Sequence, residues 1–273
     1  PGVGGTVRQL LPGDDFAPLS KLYDKAYGNI NFFCLREAYD KDLGGEKPLS
    51  QKRWVFLWSD DHGVPGGFLV GSRVKDTLHC VNEFSGRDGL IFTDAKALIG
   101  LLNFVHTAFI ANFEDIEFGL PDHIDLSGLL PELSGMDCKP VLNGMARAVN
   151  AEMLLKLCRC RGQGKLSLKI TDRIIPENNA TFLVDFAPGR ENLVERTDGP
   201  GDIELDAGNL AVLLGGCRSA DSIAMTPDIR VGIPGKDVRG SDIPLAESFR
   251  MNASGTELSQ IFYRKPCHVL DLF

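Results

Sequence analysis

Long unbroken apolar runs are missing from this sequence. The longest apolar-rich stretch, Ala95 to Phe113, is interrupted by Lys96, Asn103, His106 and Asn112, whereas a membrane span needs about 18 nearly uninterrupted apolar residues. A basic start followed by an apolar core is missing too, so no signal-peptide pattern is present. No Lys/Arg cluster occurs, and 29 basic against 37 acidic residues leave a net charge of -8. A nucleic-acid binder needs a basic footprint. The expectation is a soluble, cytoplasmic protein with no nucleic-acid partner and no membrane span. Internal repeats and low-complexity tracts are absent, and 43% hydrophobic with 24% charged residues over 273 positions supply material for folded cores. That length corresponds to about two domains.

Cysteine spacing excludes as much. The seven cysteines, at 34, 80, 138, 158, 160, 217 and 267, are odd in number and irregularly placed, in a chain large enough to need no staples. Cys158 and Cys160 are too close for a CxxC hook, and His79-Cys80 and Cys267-His268 have no partner motif at zinc spacing. Reduced, packed thiols and no metal are expected. No G-x-S-x-G elbow is present for Ser-His-Asp chemistry. The histidines at 62, 79, 106, 123 and 268 share no motif and read as surface or satisfied core residues. An initiating Met is also lacking: the chain opens Pro1-Gly2-Val3-Gly4-Gly5, a linker-like start that implies a missing upstream part.

What is present falls into two regions. In residues 1–143, Asp14/Asp15 precede Phe16, Leu19, Leu22, Tyr23 and Tyr27, the pattern of an N-capped amphipathic helix. The apolar runs Trp54–Trp58 and Gly67–Val70 flank an Asp/Gly turn and predict a hairpin. A third run, Thr77–Val81, precedes a helix opened by Thr93/Asp94 with Leu98, Leu102, Val105 and Phe109 on one face, and Asp115–Phe118 closes the region as a strand. This is an α/β arrangement. In residues 144–273, Asn150 caps a helix whose Leu154, Leu157 and Cys158 share a face and which ends at Arg159, Arg161 and Gly162. Lys165–Asp172 alternates, with Leu166, Leu168 and Ile170 inward. A turn at Pro176–Asn179, a strand at Ala180–Phe186, another at Asp202–Asp206 and a short helix capped by Asp206 and ended by Gly215-Gly216 complete an α+β domain.

Two segments could cradle a phosphate. Arg159-Cys-Arg-Gly-Gln-Gly164 fits the R/Q-x-x-G-x-G/A pattern of acetyltransferases. That pattern needs a strand before it and a helix after it, so that backbone N–H groups and a helix N-terminus meet the phosphates. Here the order is reversed, and the match reads as a helix end. The loop in the correct context, Glu83–Gly89, has Gly86, Gly89 and Arg87 but not the phosphate spacing. The first region therefore reads as a non-catalytic copy of an acyltransferase fold.

Met145-Ala-Arg147-Ala-Val149-Asn150 resembles the M-x-R-V-x-D segment that opens the sterol-carrier-like domain of the enhanced intracellular survival family of GNAT-type N-acetyltransferases. The resemblance continues through Leu168–Asp172, Pro176–Asn178 and Leu205–Gly216, and ends at Arg264-Lys-Pro-Cys-His-Val-Leu-Asp-Leu-Phe273, similar to a K-P-x-x-x-D-x-F finish. Thr6–Leu10 and Leu35–Tyr39 resemble the lead-in and first helical segment of the family's second domain. The resemblance implies a degenerate GNAT-like domain over residues 1–143 and a sterol-carrier-like domain over 144–273. It also implies that the first GNAT domain, which binds acetyl-CoA and holds the general-acid tyrosine, has no counterpart here. Acetyl-CoA would then be the cofactor of the full-length protein, and no cofactor-binding residue is expected in this chain. In the family the C-terminal carboxylate serves as general base, and here that group belongs to Phe273. Leu272 stands where some members place an acidic residue that helps bind cationic amines, which argues against a polycationic acceptor.

The expected partners are the missing N-terminal GNAT domain, an amine substrate and further copies of the chain in a homo-oligomer. The competing reading is a lipid- or acyl-CoA-binding module, because sterol-carrier folds can enclose an apolar tunnel. A third reading is an oligomerisation scaffold. A filled core is expected in place of the tunnel, since the inward faces of Leu166–Ile170 and Phe182–Phe186 are of the kind that is ordinarily close-packed.

Overall fold

The structure is a computed structural model of the chain, describing residues 3–32, 53–80, 89–121, 123–124, 126, 135–139, 145–233, 236–239, 252–253 and 256–267. By its internal contacts the chain divides into two units, of which the second is Met145–Cys267.

In the first unit, β1 (Thr6–Leu10), β2 (Trp54–Ser59), β3 (Pro65–Val74), β4 (Thr77–Cys80) and β6 (Asp115–Phe118) form a mixed sheet in that order, and β5 (Leu90–Phe92) pairs with β3. Neighbours are antiparallel except β4 and β6, which run parallel with His79 opposite Glu117. The β2–β3 turn closes because the Asp60 carboxylate accepts from the His62 and Val64 amides, while Gly63 takes a positive φ of 77°. Period-two alternation then divides the apolar side chains between two faces. Leu10, Val55, Leu57, Phe68 and Val70 pack with Leu19, Leu22, Tyr23 and Tyr27 of α1 (Ala17–Tyr27). Phe56, Trp58, Leu69 and Leu78 pack with Ala97, Leu98, Leu101 and Val105 of α2 (Ala95–Phe109). Helices on both faces of one sheet make the predicted α/β layering.

The start of α1 differs from the sequence expectation. Phe16 is its N-cap and gives no side-chain hydrogen bond. Asp14 instead accepts from the Leu11 amide and from Arg8, and Asp15 accepts from the Ala17 amide. A proline in the first helical turn lacks the N–H that a cap would satisfy. The segment Leu35–Tyr39 lies outside the described residues.

In the second unit, α3 (Ala151–Leu157) leads to β7 (Gly164–Thr171), a short 3-10 turn (Pro176–Asn178), β8 (Ala180–Phe186), β9 (Leu193–Thr197) and β10 (Ile203–Asp206). Then follow α4 (Ala207–Gly215), α5 (Asp221–Ala224), β11 (Arg230–Ile233), β12 (Lys236–Arg239), the small pair β13 (Asn252–Ala253) and β14 (Thr256–Glu257), and α6 (Leu258–Ile261). The sheet order is β12-β11-β10-β7-β8-β9, with β10 and β7 parallel and the other neighbours antiparallel. Leu166, Leu168, Ile170, Phe182, Val184 and Phe186 are at most 1% exposed and join Leu155, Leu210, Leu214, Ile261 and Phe262 in one core. Asn150 and Asp206 cap α3 and α4 as their sequence contexts predict, and Gly216 ends α4 in the left-handed region.

The buried face of α3 departs from the expectation. Ala151 and Leu155 are its buried residues, while Leu157 is 57% exposed. The helix also stops at Leu157, with Cys158 already extended, so Arg159 and Arg161 lie beyond its last turn.

Candidate functional site

The position after β4 is where an acyltransferase fold would present its phosphate loop. Residues 81–88 lie outside the described set, but both ends are clear. Gly89 is pressed against β4, where a Cβ would lie 1.8 Å from the Cys80 carbonyl oxygen, and its own carbonyl accepts from the Val70 amide at 2.6 Å. β5 then pairs with β3, and Thr93 is tied through its amide and hydroxyl to the Gly66 carbonyl. At the start of α2 the Asp94 carboxylate accepts from the Ala97 amide at 2.9 Å. A carboxylate occupying the helix N-terminus repels an incoming phosphate from the donors that would otherwise attract it.

The Arg159–Gly164 segment is closed in another way. The Arg161 and Gly162 amides both donate to the Gln260 carbonyl, at 2.9 and 3.2 Å, and the Arg161 guanidinium lies 4.2 Å from the Tyr263 ring centroid. A helix precedes and a strand follows. Two of the backbone donors that a pyrophosphate would need are already used.

The motif residues that carry the family resemblance converge on one carboxylate. Asp172, whose side chain is fully enclosed, accepts from the Ile174 and Ile175 amides and from Asn178 Nδ2, and it pairs with Arg147. Asn178 in turn accepts from the Ala151 amide and donates to the Ala148 carbonyl, and Asn179 exchanges hydrogen bonds with the Asp172 backbone. Burial pushes the Asp172 carboxyl upward, but the bonds from Asn178, the two amides and Arg147 outweigh it and hold the group well below the usual carboxylate range. Such a carboxylate is a poor proton acceptor. Its chemistry is structural: it fastens the start of α3 to the β7–β8 turn.

The nucleophile candidates are equally quiet. Burial pushes the Cys80 thiol up to about 12 and the Cys158 thiol up to about 11, and it raises Cys160 as well. Thiolate is the reactive form, so these groups are inert near neutrality. Cys158 and Cys160 both meet the buried Asn192 side chain, which also donates to the Leu155 and Cys158 carbonyls. His79 is buried with its Nε2 2.8 Å from Glu117 on the next strand, whereas His62, His106 and His123 are exposed. Among the described residues, no group of three or more His, Cys, Asp and Glu could hold a metal ion, and no helix is long and apolar enough to cross a membrane. His268 and Phe273, the latter singled out for its terminal carboxylate, lie outside the described residues.

Residues 151–246 match the family model of the sterol carrier protein domain. No curated protein matches the chain. Solved structures do. A conserved protein of unknown function from Enterococcus faecalis V583, described as a "probable N-acyltransferase", is similar with a TM-score of 0.74 and 16% identity, covering 99% of this chain and 62% of that one. A GCN5-related N-acetyltransferase from Anabaena variabilis ATCC 29413 gives a TM-score of 0.66 and 16% identity over 99% of this chain and 63% of the other. Eis1 from Mycobacterium abscessus gives 0.64 and 14% over 100% and 64%. The chain thus spans less than two thirds of the length of these proteins. The fold is a GNAT-like mixed α/β unit followed by a sterol-carrier-like α+β unit.

Proposed function

We propose that this chain is the C-terminal portion of a GNAT-type N-acetyltransferase of the enhanced intracellular survival kind, inactive without an acetyl-CoA-binding domain that lies outside this sequence. The observation that carries the reading is the asymmetric coverage: 99% of this chain aligns with 62% of the Enterococcus protein. The Ala97 amide bonded to Asp94 and the Arg161 and Gly162 amides bonded to Gln260 support it, because these donors are already taken.

In the whole enzyme, acetyl-CoA would supply the thioester and an amine would attack it. The part of this chain in the chemistry is the α-carboxylate of Phe273, which takes the proton from the attacking nitrogen. A free α-carboxylate has a pKa of about 3.5, too low for an efficient base at neutral pH. Desolvation in a cleft would raise it toward the working range. Leu272, apolar beside that group, favours a neutral or singly charged acceptor over a polycation. The assembly into a homo-oligomer and a cytoplasmic setting belong to the same reading.

The sterol-carrier match keeps a lipid-binding reading in view. Against it stands the inner face of the second sheet. A bore wide enough for an acyl chain would expose its wall to a water-sized sphere, yet Leu166, Leu168, Phe182, Val184 and Phe186 are each 0% exposed. Isothermal titration of the 273-residue chain with acetyl-CoA and with fatty acids separates the readings. No heat of binding for either is expected, and no turnover of acetyl-CoA with any amine. Turnover by this chain alone would overturn the proposal, and saturable fatty-acid binding would favour the lipid module.

A further inference from the structure

Where α3 ends, two thiols are drawn to one buried carboxamide. Asn192 is 2% exposed. Its Nδ2 donates to Cys158 Sγ at 3.3 Å, and Cys160 Sγ lies 3.9 Å from its Oδ1. Asn192 is itself fixed, with Nδ2 on the Leu155 and Cys158 carbonyls and Oδ1 accepting from the Ala187 amide. The backbone leaves the helix extended at Cys158, where side chains two residues apart point to one face. Two sulfurs therefore lie against the two ends of one immobile amide. Cys160 is buried and Cys158 half-buried, so the pair is approached from the Cys158 side.

The charges acting on this pair are cationic. Lys265 acts on both thiols and Arg190 on Cys160, while Arg161 acts on Lys265. Arg190 shares its charge with Asp185 at 3.6 Å. Lys265 is 9% exposed and its ammonium donates to the Leu214 carbonyl at 2.7 Å. Among the described residues it forms no ion pair with a carboxylate, although a buried ammonium normally needs a counter-charge. Burial raises both thiols, and the ammonium pulls them back toward the thiolate.

We propose that Cys158 and Cys160 form a two-coordinate thiolate site for monovalent copper, with Lys265 as its counter-charge. The inference goes beyond the acetyltransferase reading and does not depend on it. The donor set selects the ion. Thiolates are soft ligands that favour monovalent copper. A structural zinc site takes four ligands, and the described residues offer no group of three. Binding forms two Cu–S bonds, breaks two S–H bonds and releases two protons, with no change of oxidation state. The bis-thiolate product carries one negative charge, which the Lys265 ammonium offsets.

The test is anaerobic titration of the reduced 273-residue chain with monovalent copper against bicinchoninate, a coloured copper chelator. The parent should take about one more copper from the chelator than Cys158→Ser or Cys160→Ser does. Cys158→Ala and Cys160→Ala replace any serine variant that does not fold. X-ray absorption of the parent loaded with one equivalent should show two sulfur neighbours and no nitrogen. Its apparent affinity should rise about 100-fold per pH unit near neutrality, a factor of about ten for each proton released. Lys265→Gln, which keeps a donor for Leu214 but removes the charge, should weaken binding about tenfold or more. Lys265→Arg should bind as the parent does. Equal copper uptake in the parent and the cysteine variants would overturn the site. So would three or four sulfur neighbours, or a slope of only about tenfold per pH unit. Unchanged affinity in Lys265→Gln would overturn the counter-charge.

Discussion

At Gly100 the helix α2 carries no side chain, and the buried Trp58 indole takes the space: a Cβ built there would lie 2.1 Å from Trp58 Nε1. Gly100→Ala sets two effects against each other. Helix propensity would gain about 1 kcal/mol, while overpacking a core typically costs about 1–3 kcal/mol. With the indole ring also held against Gly66, where a Cβ would lie 2.6 Å from it, retreat is blocked and the steric cost wins. Denaturant unfolding should show a net loss of about 1–2 kcal/mol, with a shift in tryptophan emission. Asp172 invites a different measurement. Its folded pKa is depressed below the unfolded value of about 3.9, so its stabilisation is complete above about pH 4 and fades as the pH falls toward the depressed value. Thermal melts should place Asp172→Asn below the parent at pH 7, and the gap should narrow on acidification below about pH 4. A constant gap from pH 7 to about pH 3 would contradict the network's role. Among the thiols, Cys138 is exposed, so limiting iodoacetamide should label it before the buried Cys80 and Cys160, as peptide mapping can establish.

Within β7 the inward and outward residues should respond very differently to truncation. Leu168→Ala should cost about 2–5 kcal/mol, and Thr171→Ala, at the exposed end of the same strand, should stay within about 0.5 kcal/mol; chemical denaturation reads both. This strand was legible in the sequence because eight residues alternate without interruption. The caps Asn150, Asp94 and Asp206 were legible for the same reason, a local pattern tied to a local bond. Of the expected α2 face, Leu98 and Val105 are buried, Leu102 and Phe109 are only partly buried, and Leu101 was missed. The face of α3 was not legible. It has seven residues, under two turns, so Leu154, Leu155 and Leu157 offer several consistent stripes and only the tertiary core selects Leu155. β9 left little signal because it is an edge strand whose Val194 alone packs against the core among exposed Leu193, Glu195 and Arg196. β5 has three residues, too few for a period. As for the candidate site, the motif residues Arg147, Asp172 and Asn178 were readable as a set, but their meeting at one enclosed carboxylate follows from the β7–β8 turn, which a linear spacing does not display. Lys265 was readable as part of the Lys-Pro motif, but the bond from its ammonium to the Leu214 carbonyl joins it to a helix end about 50 residues earlier in the chain, which that motif does not display.

On the scale of the whole molecule, the recognisable sterol-carrier stretch and the folding unit do not coincide. The family match stops at residue 246, yet Leu258, Ile261 and Phe262 belong to the same core as β7 and β8, with the Phe262 ring 6.4 Å from that of Phe186. A fragment ending at residue 246 should therefore bind the dye ANS and lose cooperative melting, while one ending at Cys267 should melt in a single transition. The late arrival of Phe262 also matters while the protein is being made. Translation adds about 5–20 residues each second, so several seconds pass between the emergence of Phe186 and that of the ring that covers it. During that interval Phe186 of the β7–β8 hairpin lacks the ring that packs against it. Nascent chains stalled in this window should be captured by hydrophobic-binding chaperones, and release should follow soon after α6 has cleared the exit tunnel.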